Sequence, residues 1–240
     1  MSTLAEAWDA AAEDWIRWAR TPDHDHFYWR FIRPHLLDLI PPPGRLTVDI
    51  GCGEGRLARE LQRSGHQVVG VEPSRRLAAA AGAARPSVRV LIADATAMPL
   101  EDEQADIAVA CMSLLNIENL SAAVREVSRI LVPGGKLCFA TLHPFHSIET
   151  ARSVLGPCSY FNELQFADPA ERDGLRMTFR DVHRSLSHIC AALETAGFLI
   201  ETLREPVPDE DHVRSRPAVA RWREQPCFLH GRALKPPTGP

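Results

Sequence analysis

Asp49, Gly51, Gly53 and Gly55 occupy alternate positions, and two more carboxylates, Glu72 and Asp94, follow downstream. Glycines so spaced let the backbone take positive φ and let a ligand lie close against the main chain. A carboxylate offers two acceptor oxygens, enough for both hydroxyls of a ribose. These residue types describe the chemistry of a nucleotide site. A second set could move protons. His143 and His146 lie in the run HPFH, and His24 and His26 lie in DHDHFYW over residues 23–29. Histidine titrates near neutral pH and can act as a general base, worth about 10²–10⁴-fold. A loop histidine also serves structure or is simply solvated.

Positioning the glycines requires a strand, a tight turn and a helix. The run LTVDIGCGEGR over 46–56 supplies them. Leu46, Val48 and Ile50 form a buried strand, and a helix from about Gly55 points its free N–H groups back at the turn. This opens a nucleotide site in a doubly wound sheet. A dinucleotide fingerprint would place its third glycine at position 56, which is Arg56. That argues against an NAD(P) reductase. A strand over 67–71 ends in Glu72, 72 − 49 = 23 residues after Asp49, in register to hold a ribose. The plainer reading of Glu72 is a helix cap or a surface charge.

The motifs VGVEPS (69–74), ADATAMPL (93–100), DIAVA (106–110) and LVPGGK (131–136) follow the glycine turn in order. With DIGCGEG they resemble class I S-adenosylmethionine-dependent methyltransferases, and most nearly the small-molecule subgroup called type 11. The resemblance covers roughly residues 45–142. It implies a three-layer, Rossmann-like α/β fold with a seven-stranded sheet, order 3-2-1-4-5-7-6, the last strand antiparallel. It implies S-adenosylmethionine as cofactor, with S-adenosylhomocysteine as product. The implied cofactor set is Asp49, Gly51, Cys52, Gly53, Glu72, Pro73, Asp94, Ala95 and Met112. Within it Asp94 would take the adenine amino group and Ala95 a ring nitrogen. The Asn/Asp-Pro-Pro-aromatic motif of nucleic-acid amino methylases is missing after the fourth strand. So is the acid of magnesium-dependent catechol-type enzymes. Both absences favour a metal-free enzyme acting on a small molecule. A non-catalytic cofactor-binding regulator or scaffold is the alternative.

The remaining elements frame that core. Thr3 and Glu6 form a capping box for one helix of about four turns, with Trp8, Ala12, Trp15 and Ala19 on one face. It packs on the domain edge or, as the resemblance implies, closes over the cofactor. His26, Tyr28 and Trp29 either line an acceptor pocket or belong to a solvated turn before a helix over 28–39. Residues 1–44 are thus expected to be a helical cap and 45–142 the cofactor core. About forty residues follow without a recognisable helix. This stretch, 143–183, is an expected lid or a satellite cluster, with Phe145 and Tyr160 as acceptor contacts and His143 and His146 as candidate bases. Residues 184–234 return as a helix and two edge strands, with a charged, solvated loop over 209–223 that holds one helical turn. Residues 235–240 read as a disordered tail.

Net charge is −4 and no apolar run reaches the length of a membrane span, so neither nucleic acid nor membrane is an expected partner. Six cysteines without a CxxC pair read as buried thiols in a reducing cytoplasm, with no metal site. A monomer or a homodimer is expected.

Overall fold

The computed structural model of the 240-residue chain describes residues 3–22 and 24–237. Two helices, α1 (Leu4–Ala10) and α2 (Ala12–Arg20), stand where the sequence predicts one. The Thr3–Glu6 capping box is present. The helix is interrupted at Ala11 (φ −90°, ψ 5°), and Trp8 and Trp15 meet edge to face with centroids 5.7 Å apart. The helix expected over 28–39 is a π-turn at Tyr28–Ile32 followed by α3 (Arg33–Leu37). Pro34 has no N–H to donate, which disrupts a regular ladder at this point.

The central sheet is built from β1 (Thr47–Ile50), β2 (Val68–Val71), β3 (Arg89–Leu91), β4 (Ala105–Cys111) and β5 (Leu131–Leu142). Helices α4 (Arg56–Arg63), α5 (Arg75–Ala83) and α6 (Leu120–Ile130) connect them. β1 is buried along its whole length, as a central parallel strand requires. The run Pro133-Gly134-Gly135 lies within β5, whose register with β4 shifts between Ala105 and Ile107.

The 143–183 stretch, expected to lack a helix, begins with α7 (Pro144–Leu155) and continues as a hairpin, β6 (Leu164–Arg172) and β7 (Leu175–His183). The hairpin turns on Asp173 and Gly174, both at positive φ, an Asp-Gly pair suited to a two-residue turn. Next come α8 (Leu186–Thr195), β8 (Leu199–Arg204), α9 (Glu210–Ser215) and β9 (Phe228–Leu234). The sheet order is β3-β2-β1-β4-β5-β9-β8, with β9 antiparallel to both neighbours. This is the order expected from the resemblance.

Helices cover both faces. Leu120, Val124 and Val127 of α6 and Ile189 and Leu193 of α8 pack on one face. Leu57 and Leu61 of α4, Leu36 of α3, and Val219 and Trp222 pack on the other. The segment 209–223, expected as a solvated loop, therefore supplies core side chains. Each such buried side chain contributes roughly 1.5–3 kcal/mol. Lys235 is not loose: its N–H donates to Gly135 O at 2.9 Å, and its carbonyl accepts from Gly134 N at 2.8 Å. The rest of the expected tail, 238–240, lies outside the described residues. All six cysteines are free thiols. Among the described residues no helix is long and apolar enough to cross a membrane.

Candidate functional site

A cavity of about 550 Å³ opens at the carboxyl ends of β1, β2 and β4. Its floor is the glycine turn. Gly51 and Cys52 donate N–H to Val71 O at 2.8 and 3.1 Å, tying the turn to the end of β2. Gly51 has φ +65°, and a Cβ there would lie 2.6 Å from Ser113 Cβ. Ser113 is itself fixed, donating to Ile50 O at 2.6 Å. No larger residue fits at 51 without moving that contact.

Asp49 and Glu72 line this floor, and Asp94 stands at the rim. Asp49 is fully buried and its Oδ2 has no hydrogen-bond partner. Burial, reinforced by the charge of Glu72, pushes its pKa up to about 7. Glu72 is also raised by burial, opposed by N–H donors. Its two oxygens accept from Gly53 N and Ser74 N, both at 2.9 Å. These bonds clamp the carboxylate between turn and helix, with one lone pair on each oxygen left for a ligand. Asp94 is exposed at the rim. Its Oδ1 takes the N–H and hydroxyl of Thr96 at 2.8 and 2.6 Å, which orients the group.

The N-terminal segment forms the roof. Asp9 Oδ1 accepts from Ser74 Oγ at 2.6 Å, and this bond holds the Asp9 carboxyl below its usual range. Leu4 N donates to Glu118 at 2.8 Å, so α1 is fastened to two loops of the core. The Arg56 guanidinium lies 3.5 Å from the Tyr28 ring centroid and 4.9 Å from that of Trp15, and it pairs with Asp25 at 2.7 Å. Burial is the largest single influence and opposes its charge, but Asp25 and Tyr28, with Cys111, together outweigh it and its pKa rises. The residue that replaces a third glycine thus anchors the roof.

The far wall comes from the hairpin and α7. Phe179 of β7 meets Trp15 and Trp18 edge to face at 6.4 and 5.5 Å, so hairpin and roof touch above the cavity. Asp168, Asp181, Thr150 and His146 line this side. Asn116, just past β4, donates to Asp181 Oδ1 at 2.8 Å. Burial, aided by the charge of nearby Arg221 and His143, lowers His146 to about 4, so it is neutral at physiological pH.

All nine residues of the expected cofactor set line this one cavity, as do Tyr28 and His146. His143, His26, Trp29, Phe145 and Tyr160 do not. His143 caps α7, its Nδ1 accepting from Phe145 N at 3.2 Å, while its Nε2 lies 2.9 Å from Glu205. Both of its ring nitrogens are therefore engaged. His26 bonds His212 at 2.9 Å, and Trp29 lies under Arg33 on the surface. Phe145 stacks on Tyr160, whose hydroxyl accepts from Leu186 N at 3.0 Å. Sequence reasoning missed Arg56, Asn116, Asp168 and Asp181 as wall residues. The signal for the last two was the Asp173-Gly174 turn, which announces a hairpin. Among the described residues no group of three or more His, Cys, Asp or Glu is placed to hold a metal ion.

Residues 48–139 match the family described as a methyltransferase domain. A solved S-adenosylmethionine-dependent methyltransferase from Mesorhizobium loti superimposes with a TM-score of 0.68 at 27% identity, covering 84% of this chain and 96% of that one. The fold is that of the class I S-adenosylmethionine-dependent methyltransferases, and residues 48–139 carry the methyltransferase-domain match. An uncharacterised methyltransferase of Mycobacterium bovis is 34% identical over 105 residues, 43% of each chain. A demethylmenaquinone methyltransferase of Corynebacterium kroppenstedtii is 33% identical over 109 residues, 45% of this chain and 46% of its own length. The chain therefore spans less than half the length of the relatives it matches by sequence. The family model covers the glycine-turn core, and roof and hairpin lie outside the residues it matches.

Proposed function

We propose that this chain transfers a methyl group from S-adenosylmethionine to a small molecule, without a metal. The observation that carries the reading is the unpartnered, buried Oδ2 of Asp49 beneath a turn that only glycine can form. A buried carboxylate oxygen without a donor is costly, and a cationic ligand relieves that cost. The cofactor carries one permanent sulfonium charge and an ammonium group, so its chemistry fits this floor.

In this reading Asp49 faces the ammonium end, and Gly51, Cys52 and Gly53 cradle the methionyl chain. Glu72 and Pro73 hold the ribose, Asp94 and Ala95 the adenine, and Met112 closes one side. When bound, the cofactor supplies an already activated methyl group. The chain's own residues have to align an acceptor and exclude water, worth roughly 7–11 kcal/mol. Residues 1–44 act as the cap and 143–183 as the lid over the 45–142 core; 184–234 complete the sheet. The demethylmenaquinone enzyme supports a small-molecule acceptor. Six free thiols fit a reducing cytoplasm.

Calorimetric titration with S-adenosylhomocysteine tests the reading. Saturable one-to-one binding that fails in Asp49→Ala is expected. Absence of binding by the unaltered chain, or full binding by Asp49→Ala, overturns it.

A further inference from the structure

We propose that the wall formed by Asn116, Asp168 and Asp181 seats the ammonium group of an amine acceptor, and that Asp181 takes the proton this amine gives up. The inference rests on the methyltransferase reading above and adds the acceptor's chemical class.

Asp181 is 6% exposed, on a strand of the hairpin. Its Oδ1 is held by Asn116, whose amide also donates to Arg180 O at 2.7 Å, so both amide hydrogens are used in fixing the carboxylate. Among the described residues no donor meets Asp181 Oδ2, and neither Asp168 nor Asp181 has a cation within ion-pair distance. Two arginines flanking the hairpin strands are committed elsewhere. Arg172 donates to His24 O at 3.2 Å and lies over the rings of Trp18 and Phe27. Arg184 pairs with Glu163 at 2.7 Å. His146, on the same wall, is neutral.

Buried carboxylates are ordinarily paired or protonated. Here burial, with some help from the Asp168 charge and against the Asn116 hydrogen bond, raises Asp181 to about 7. Burial raises Asp168 as well. A cation entering the cavity satisfies both groups. A hydroxyl would leave both charges unpaired, and an anionic acceptor would be repelled. The surrounding wall is apolar and aromatic, with Phe179, Leu115 and Phe228, so the ammonium sits on a hydrophobic body.

The proton balance is simple. An N–H proton of the ammonium moves to Asp181 Oδ2, leaving a neutral amine with a free lone pair. That lone pair forms the new N–C bond as the methyl–sulfur bond breaks, its electrons remaining on sulfur. The product is a methylated ammonium, and Asp181 returns its proton to solvent. A carboxylate with a raised pKa is a better base for this than an ordinary one.

The test uses the full chain saturated with S-adenosylhomocysteine. The probes are 2-phenylethylamine, 2-phenylethanol and 3-phenylpropionate, followed by a panel of aryl and alkyl amines. Calorimetry in two buffers of different ionisation enthalpy at about pH 7 reads affinity and proton release together. An amine is expected to bind at least about tenfold tighter than its alcohol, with release of part of a proton. Asp181→Asn should abolish that release and weaken the amine, leaving S-adenosylhomocysteine affinity unchanged. Asp168→Asn, at a less buried site, should weaken the amine by a smaller factor and keep the release. Equal binding of alcohol and amine, an unaltered amine profile in both variants, or no binding by any amine of the panel overturns the inference. Failure of S-adenosylhomocysteine to bind the unaltered chain overturns the methyltransferase reading instead.

Discussion

The two halves of the cavity are made in different ways. The proposed cofactor half is backbone: a turn held by Val71, glycines at positive φ, and Glu72 pinned by the N–H groups of Gly53 and Ser74. The proposed acceptor half is side chains, drawn from α1, α2, the hairpin and α7, and joined by ring contacts and single hydrogen bonds. Backbone geometry tolerates few substitutions, whereas a side-chain wall can be rebuilt one residue at a time. In the proposed reading the first half holds the cofactor, and the second sets which acceptor is taken.

Mutations can break that contrast. Gly51→Val forces a branched side chain into φ +65° and onto Ser113. It should cost about 3 kcal/mol or more in urea unfolding and remove S-adenosylhomocysteine binding. Glu72→Ala strips the acceptor from Gly53 and Ser74. A loss in cofactor affinity of roughly a hundredfold is expected by calorimetry. Asp94→Ala, at the exposed rim, should weaken it roughly tenfold. His143→Ala, a cap of α7 off the cavity, should cost about 1 kcal/mol of stability and leave cofactor affinity within about twofold. A large affinity loss from His143→Ala would show that the two halves are not separable.

A pH series sharpens the same comparison. Asp49 and Asp181 titrate in the folded chain at about 7, against an ordinary 3.8. The folded state therefore holds more protons than the unfolded one across this window. Stability from these groups is full below about pH 4 and is lost as pH rises toward about 7. Buried histidines whose pKa is lowered, such as His26, His146 and His230 at about 4, act in the opposite sense across this window, so the carboxylate effect is read as a difference between variants. From about pH 5 to about pH 7.5 the ligand-free Asp181→Asn chain should lose less resistance to urea, or gain more, than the unaltered chain, and saturating cofactor should act in the same direction through Asp49. Asp9 works in the opposite sense, since its pKa is lowered by Ser74. Its contribution disappears only as pH falls below about 4.

The cofactor floor was legible because it is local. Strand, glycine turn and cap fall within a few residues, and φ requirements select glycine directly at Gly51 and Gly53. The sheet order followed from the resemblance of the motifs in register. The acceptor wall was less legible because it is assembled across the chain. Asp181 meets Asn116 at a sequence separation of 65, and Phe179 reaches Trp15 on α2. Composition pointed to the aromatic richness of 23–29, yet the fold turns Trp29 and His26 away from the cavity and keeps Tyr28. The proline at 34 breaks the helix that would have set their faces in simple rotation. His143 drew attention as a base, but a histidine before a proline-led helix is also a cap.

β9 lies between β5 and β8 and is antiparallel to both. During synthesis the outer edge of β5 must therefore wait, unpaired, while α7, the hairpin, α8 and β8 emerge. An exposed central strand of this kind is open to wrong partners. The acceptor wall is made from the very segments that intervene, so it takes shape on a scaffold still missing its seam. Long-range closure of that sort is slow, and it makes β9 the step at which a nascent chain commits to its final architecture.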